Sequence, residues 1–403
     1  MMAELKKYKL GEIAEIYNGS TPSTFDSSNY DGDIIWATPK DLSDQNSKYF
    51  SQGARNITQK GFDSCSTQMI SANNILMSSR APIGLFAINT VDCCTNQGFK
   101  NIVLDKSIAD VDFMYYFLKY HVKEIEALGS GTTFREVSKT AFEKYEISIP
   151  ALPIQQKISA ILSNIDRKIS VNLEINRNLE ELAKQIYDYW FVQFDFPNED
   201  GKPYKSSGGK MVWNELLKRE IPVGWEAGIL NEIIEIKRGK TITEKQTTSG
   251  TIKVVAAGLT YSYFHGESNR TANCITVSGS GENAGFVNFW REPIFASDCS
   301  TIQFESEIDT IFCYYTLKKH EKRFYQISHK SGQPHILPSD IGEIPMVFPS
   351  KSIKDKTASF FINANKQIAE NTRELELLFV LRDTLLPLLM NGQVTLNSCL
   401  SHD

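Results

Sequence analysis

The sequence has no Cys-x-x-Cys pair, no uninterrupted apolar run long enough to cross a bilayer, and no surplus of basic charge. Each absence removes a class of protein. The seven cysteines (65, 93, 94, 274, 299, 313 and 399) are odd in number, and adjacent Cys93 and Cys94 are poorly placed for disulfides. A reducing cytoplasm fits best, with most of the thiols acting as small core residues. Met1-Met2-Ala3-Glu4-Leu5-Lys6-Lys7 carries no apolar segment of signal-peptide length. The late apolar stretch from Leu377 to Met390 is broken by Arg382, Asp383 and Pro387, so it is not expected to span a membrane.

The missing basic charge bears directly on partners. Net charge is −5, with 15 basic and 18 acidic groups in residues 1–150, and 12 and 14 in residues 221–350. Nucleic-acid binders ordinarily carry a basic footprint. Charge alone argues against DNA. If DNA is the partner, local clusters or basic companion proteins must supply most of the attraction to phosphate.

Catalytic motifs are scarce too. There is no phosphate-cradling G-x-x-x-x-G-K-[ST], no Asn-Pro-Pro-aromatic tetrapeptide, and no metal-ligand spacing among the six histidines. Gly279-Ser-Gly281-Glu-Asn-Ala284 fits G-x-G-x-x-A after a strand-like Ile275–Ser278. A dinucleotide site needs a helix starting inside that pattern. The strand-like Phe286–Trp290 follows instead, so a hairpin turn is expected.

What the sequence does have is a duplication. Leu10-Gly-Glu-Ile-Ala-Glu-Ile-Tyr-Asn-Gly19 aligns with Leu230-Asn-Glu-Ile-Ile-Glu-Ile-Lys-Arg-Gly239 at an offset of 220. Further on the offset settles near 199. Tyr115-Tyr116-Phe117-Leu118-Lys119 then matches Tyr314-Tyr315-Thr316-Leu317-Lys318, and Ile149-Pro150 matches Phe348-Pro349. Each copy opens with short β-branched and aromatic runs separated by Gly, Asn, Ser and Pro clusters, which read as irregular β with a few helices.

Each copy closes on a long helix. Ile158, Leu162, Ile165, Ile169, Asn172, Asn176, Leu179, Ala183, Ile186 and Trp190 step by alternating four and three, a heptad seam. Ile368, Asn371, Leu375, Leu378, Arg382, Leu385 and Leu389 repeat it 199 residues on, with Asn172 and Asn371 at one seam position. A polar residue there fixes register at some cost in stability. The two helices either pack on their own domains or on each other, and the matched seams favour the second arrangement. The second helix should stop at Asn391-Gly392.

Polar and planar groups gather in the loops. Thr21, Lys40, Arg80, Thr133 and Arg135 in the first copy are candidate DNA contacts, as are Lys240, Lys330, Gln333 and His335 in the second. Hydroxyls and backbone amides of Gly/Ser turns suit phosphates, whereas Arg, Lys, Gln and Asn suit base edges. Gly129-Ser-Gly-Thr-Thr-Phe-Arg135 has its counterpart in Lys330-Ser-Gly-Gln-Pro-His335.

These residues resemble the specificity subunit of type I restriction–modification systems. The resemblance lies in Leu10-Gly-x-Ile-Ala-Glu-Ile, Trp36-x-Thr-Pro-Lys-Asp-Leu42, Gly129-Ser-Gly-Thr-Thr133 and Ile149-Pro-x-Leu-Pro-Ile-Gln-Gln156. It continues in Ile165-Asp-x-Lys-Ile169, Trp190-Phe-Val-x-Phe-Asp-Phe-Pro197, Ile221-Pro-x-Gly-Trp225 and Ser331-Gly-Gln-Pro-His-Ile336, and so covers nearly the whole chain.

The resemblance implies a non-catalytic subunit that binds double-stranded DNA at a bipartite target and docks two methylation subunits. Restriction and translocation subunits would join them. S-adenosylmethionine and ATP would belong to those partners, and this chain would hold no cofactor and no metal. One departure is Val254-Val-Ala-Ala-Gly-Leu259, where the first copy has Trp36-Ala-Thr-Pro-Lys-Asp-Leu42, so Lys40 has no obvious twin.

The expected fold is α+β. Two tandem β-rich target-recognition domains (1–150 and 221–350) are each followed by a long helix (151–190 and 351–392). The helices pair as an antiparallel coiled coil with pseudo-twofold symmetry, 191–220 forms an extended connector, and 393–403 is a tail. A stand-alone bipartite DNA-binding regulator or decoy, and a coiled-coil scaffold for proteins, are the competing readings. The expected location is cytoplasmic, with no membrane partner.

Overall fold

Ile75-Leu-Met-Ser78 is apolar almost throughout, the mark of a strand covered on both faces. The period of two sorts its side chains. Ile75 and Met77 join Phe86, Ile88, Ile102, Phe113, Met114 and Phe117 in one core cluster. Leu76 joins Phe50, Ala87 and Phe99 in another on the opposite face. A computed structural model describes residues 5–393 apart from 46, 131–134 and 330–331. The chain divides into two compact units, residues 1–170 with 377–403 and residues 171–376.

In the first unit five strands run in the order Ala14–Asn18, Phe99–Leu104, Ile75–Ser78, Phe86–Asn89, Tyr49–Phe50. All pairings are antiparallel but the last, which is parallel. Helix Val111–Tyr120 covers one face, started by Asp110, whose carboxylate accepts the Phe113 N–H at 2.9 Å. Lys6–Lys9 pairs antiparallel with Glu146–Ile149. Trp36–Ala37 pairs parallel with Cys94–Thr95.

In the second unit the corresponding sheet runs Lys237–Arg238, Cys299–Ile302, Cys274–Ser278, Val287–Trp290, all antiparallel. Ile252–Val255 lies between Tyr263–His265 and Ile294–Ala296 in a second sheet, the latter pairing being parallel. Glu226–Ile229 pairs with Pro345–Phe348, as Lys6–Lys9 does with Glu146–Ile149. Gly279–Phe286 connects two antiparallel strands, so the glycine-rich pattern there is a hairpin connection and not the start of a helix.

The two copies share local backbone geometry at several equivalent places. Asn73 and Asn273 both adopt the left-handed conformation, at φ of 63° and 61°. The Gly84 N–H donates to Ser78 O and the Gly285 N–H to Ser278 O, each at 2.9 Å. At Gly19 a Cβ would sit 2.0 Å from Asn96 O, and at Gly239 2.0 Å from Ser297 O, so only glycine fits either place.

The long helices are Leu152–Tyr187 and Lys351–Met390. In the second unit Asn172 donates to Glu374 at 2.8 Å, Asn371 to Asn176 at 3.0 Å and Asn176 to Thr372 at 3.3 Å. Partner numbers fall as helix numbers rise, which is antiparallel pairing. In the first unit Arg382 donates to Asp166, and Ile158 and Leu162 share a core with Leu389 and Met390. Along the seam Ile165, Ile169, Asn172, Ile368, Asn371 and Leu375 are buried, while Asn176, Leu179 and Leu378 are half-buried. The second helix stops where Gly392 turns left-handed (φ 64°) and the Gln393 N–H reaches back to Leu388 O at 2.9 Å.

Residues 191–220 are not the extended connector that their Pro, Gly and Ser content implies. Phe191, Phe194 and Phe196 are buried, and Phe196 stacks on Trp225 and Tyr204 with centroids at 5.0 and 4.6 Å. A hairpin, Met211–Asn214 with Arg219–Pro222, completes the segment. Three phenylalanines within six residues outweigh the turn formers, because each buries more apolar surface than a loop can leave exposed without loss.

Burial pushes the Cys93, Cys94, Cys274 and Cys299 thiols up to about 12, so they pack as small apolar groups. Among the described residues no helix is long and apolar enough to cross a membrane.

Candidate nucleic-acid interface

In the first unit five loop segments meet at one end of the sheet. Ser20 N–H donates to Thr95 O at 2.9 Å, and the Thr21 hydroxyl to the Gln97 side-chain carbonyl. Asn96 N–H donates to Ala37 O at 3.0 Å, and Ser79 N–H to Gly98 O at 2.7 Å. Val137 N–H donates to Ser79 O at 3.0 Å, which brings in the segment carrying Arg135 and Glu136. Thr21, Arg80 and Arg135 are thereby drawn to one edge.

Lys40 joins them from the first turn of helix Pro39–Gln45 and is exposed. Gly98 packs so closely on Pro39 that a Cβ there would lie 2.9 Å from the ring. Asp41 fixes the helix start by accepting the Thr38 N–H at 2.7 Å and the Ala54 N–H at 2.8 Å. Thr133 lies outside the described residues.

Arg80 is the most organised group at this edge. Its Nε donates to Glu136 Oε2 at 2.9 Å, and Glu136 Oε1 accepts from Lys100 Nζ at 3.0 Å. Burial pushes the Glu136 carboxyl up, but Lys100 and then Arg80 more than offset this and leave it below its ordinary value. The carboxylate is therefore charged across the physiological range and holds two cations at once.

The second unit repeats the scaffold with other side chains. Gly239 N–H donates to Cys299 O at 2.8 Å, Lys240 N–H to Ala296 O at 2.9 Å and Ile336 N–H to Gly279 O at 3.0 Å. Lys240, Gln333 and His335 are exposed. His335 lies across an antiparallel bridge from Ser280, and its Nε2 is 3.4 Å from Arg238 Nη2. The Ser280 hydroxyl donates to Asp298. Lys330 lies outside the described residues.

Sequence reasoning missed Glu136, Lys100 and Arg238. Lys100 was hidden inside the apolar run Phe99–Leu104, where a cation buried within a strand needs a partner, and that need was the signal. Phe25 was also passed over. Its ring stands wholly in solvent in the loop that follows Thr21, although Tyr30 Oη donates to Pro22 O at 2.7 Å and Asn29 Nδ2 to Ser23 O at 3.1 Å, fixing the loop. Groove-binding proteins use apolar groups presented in this way.

Comparison with known proteins agrees with this architecture. The type I restriction modification DNA specificity domain matches residues 2–181 and again 222–378. The MjaIX type I restriction enzyme specificity subunit of Methanocaldococcus jannaschii is 29% identical over 96% of this chain and 92% of its own length. The HindI specificity subunit of Haemophilus influenzae is 23% identical over 98% of this chain and 100% of its own. The crystal structure of an S subunit from M. genitalium, 19% identical, shares the fold with a TM-score of 0.67 and 96% coverage of both chains. With the family matched twice, once over each copy of the internal repeat, the chain belongs to the type I restriction modification DNA specificity family.

Proposed function

We propose that this chain is the non-catalytic, sequence-reading subunit of a type I restriction–modification complex. Each repeat reads one half of a bipartite double-stranded DNA target, and the paired helices hold the halves apart. The observation that carries this reading is the pair of sheet ends with one backbone scaffold and different side chains. A duplicated frame with exchanged functional groups suits two different half-sites. Two methylation subunits dock on the chain and transfer the methyl group of S-adenosylmethionine to adenine. Restriction subunits add ATP-driven translocation and cleavage of unmodified DNA in the cytoplasm.

Mapping N6-methyladenine across a host genome with and without the gene tests the reading. Loss of one bipartite motif is expected. An unchanged pattern in cells that express the methylation subunits would reject it, and DNA binding by the chain in that case would mark a stand-alone regulator.

A further inference from the structure

The two sheet ends can be laid over one another position by position. Asn18 faces Lys100 across the first sheet as Arg238 faces Ser300 across the second. Met77 pairs with Lys100 as Val277 pairs with Ser300. Arg80 bridges Glu136 as Ser280 bridges His335. Four equivalent backbone places therefore carry Asn18, Arg80, Lys100 and Glu136 in one unit, and Arg238, Ser280, Ser300 and His335 in the other.

No side chain is kept, yet one feature is. Each unit presents a single arginine at this quartet, from the end of the Ile75–Ser78 strand in the first and from the Lys237–Arg238 strand in the second. In both, the arginine is met by the residue at the bridge position, Glu136 or His335. Lys100, its side chain only 5% exposed, ties Glu136 from below, while Arg80 remains 47% exposed. Among the described residues only Nε of Arg80 and only Nη2 of Arg238 are engaged. The rest of each fork is open to a ligand. A held guanidinium with free donors matches the O6 and N7 acceptors of guanine, whereas a lysine ammonium would not supply the same fork.

We propose that Arg80 and Arg238 each read a guanine, one in each half of the target, with Glu136 and His335 as the residues that aim them. This rests on the DNA-reading function proposed above. The shared scaffold fixes the quartet, and the place within it that carries the arginine sets the direction from which the arginine enters the groove. Two domains of one frame can thus address different sequences.

The test is selection of bound duplexes from a random library by the full chain co-purified with its methylation subunits, read by sequencing. Wild type is expected to enrich a bipartite motif with a guanine in each half. Arg80→Ala should lose preference at one guanine by roughly tenfold or more while the other half keeps its sequence, and Arg238→Ala should do the converse. Glu136→Gln should weaken the same base as Arg80→Ala by a smaller factor, and Arg80→Lys should not restore it.

Unchanged preference in Arg80→Ala, loss of both halves together, or an effect of Glu136→Gln at a different base would overturn the inference. Failure of the wild type to enrich any motif would instead remove the underlying DNA-reading function.

Discussion

Asn371 separates two uses of a buried polar residue, stability and register. It is 8% exposed, donates to Asn176 at 3.0 Å and accepts from Gln367 at 2.9 Å. Asn371→Ala removes both bonds together with the buried carboxamide that makes them. At about 1 kcal/mol per bond the loss should be about 2 kcal/mol. Asn371→Leu loses the same bonds but returns about 1.5–2 kcal/mol of apolar burial on the seam. Half-buried Asn176 keeps its Thr372 contact and reaches water. The leucine variant should therefore match wild type to within about 1 kcal/mol, while the seam loses the residue that penalises slipped pairings.

Denaturant unfolding, with amide exchange across 171–187 and 351–376, measures the first effect. Duplex selection, scored for gap length, measures the second, and a broadened gap distribution is expected. If the leucine variant were as unstable as the alanine one, the network would be a source of stability rather than of register. A stable leucine variant with an unchanged, sharp gap would show that Asn371 does not set register.

Three further outcomes follow from the same structure. Lys253, its side chain 10% exposed, binds Glu292 and Glu376; desolvation lowers its pKa, but the two carboxylates more than offset this and raise it above 10.5. Its contribution is thus full below about pH 10.5 and lost as pH rises through the higher folded value, so Lys253→Met should cost about 1–2 kcal/mol at pH 7 and flatten the alkaline limb of a Tm–pH curve. Gly239→Ala forces a methyl to within 2.0 Å of Ser297 O, and should cost about 1–3 kcal/mol and relax one half-site while the other stays sharp in duplex selection. Seven residues added to each helix at matching points keep the heptad and lengthen each by about 10 Å, near three base pairs, so methylome mapping should show the same half-sites with a wider gap.

The periodic parts of this fold were legible in the sequence, and the convergent parts were not. A seam of ten positions survives local noise because its period is physical, so the long helices and their pairing could be read directly. The duplication likewise declared two domains. The segment 191–220 misled because turn-forming residues are easy to count, whereas Phe191, Phe194 and Phe196 bury only once Trp225 arrives from beyond the hairpin. At the sheet end Arg80 was legible as an exposed cation. Its holder Glu136 is 56 residues away and reached through a bridge, so no local pattern could join them. Arg238 was hidden by its place in a repeat motif that reads as scaffold.

An acidic chain that reads DNA is less of a contradiction once the carboxylates at the sheet ends are followed. Glu136 holds Arg80 and Lys100, Asp41 holds the start of the helix carrying Lys40, and Asp298 holds the Ser280 hydroxyl. Each fixes donors that would otherwise be mobile, and Glu136 also cancels positive charge that would otherwise draw phosphate. Orientation is gained where long-range attraction is given up. Affinity from counterion release grows with the number of phosphates neutralised, so a chain arranged in this way should discriminate bases better than it binds the duplex. That division calls for a companion surface to supply the phosphate contacts, and it makes sequence reading dependent on assembly: the isolated chain should bind weakly with a shallow salt slope, and the slope should steepen when the methylation subunits join.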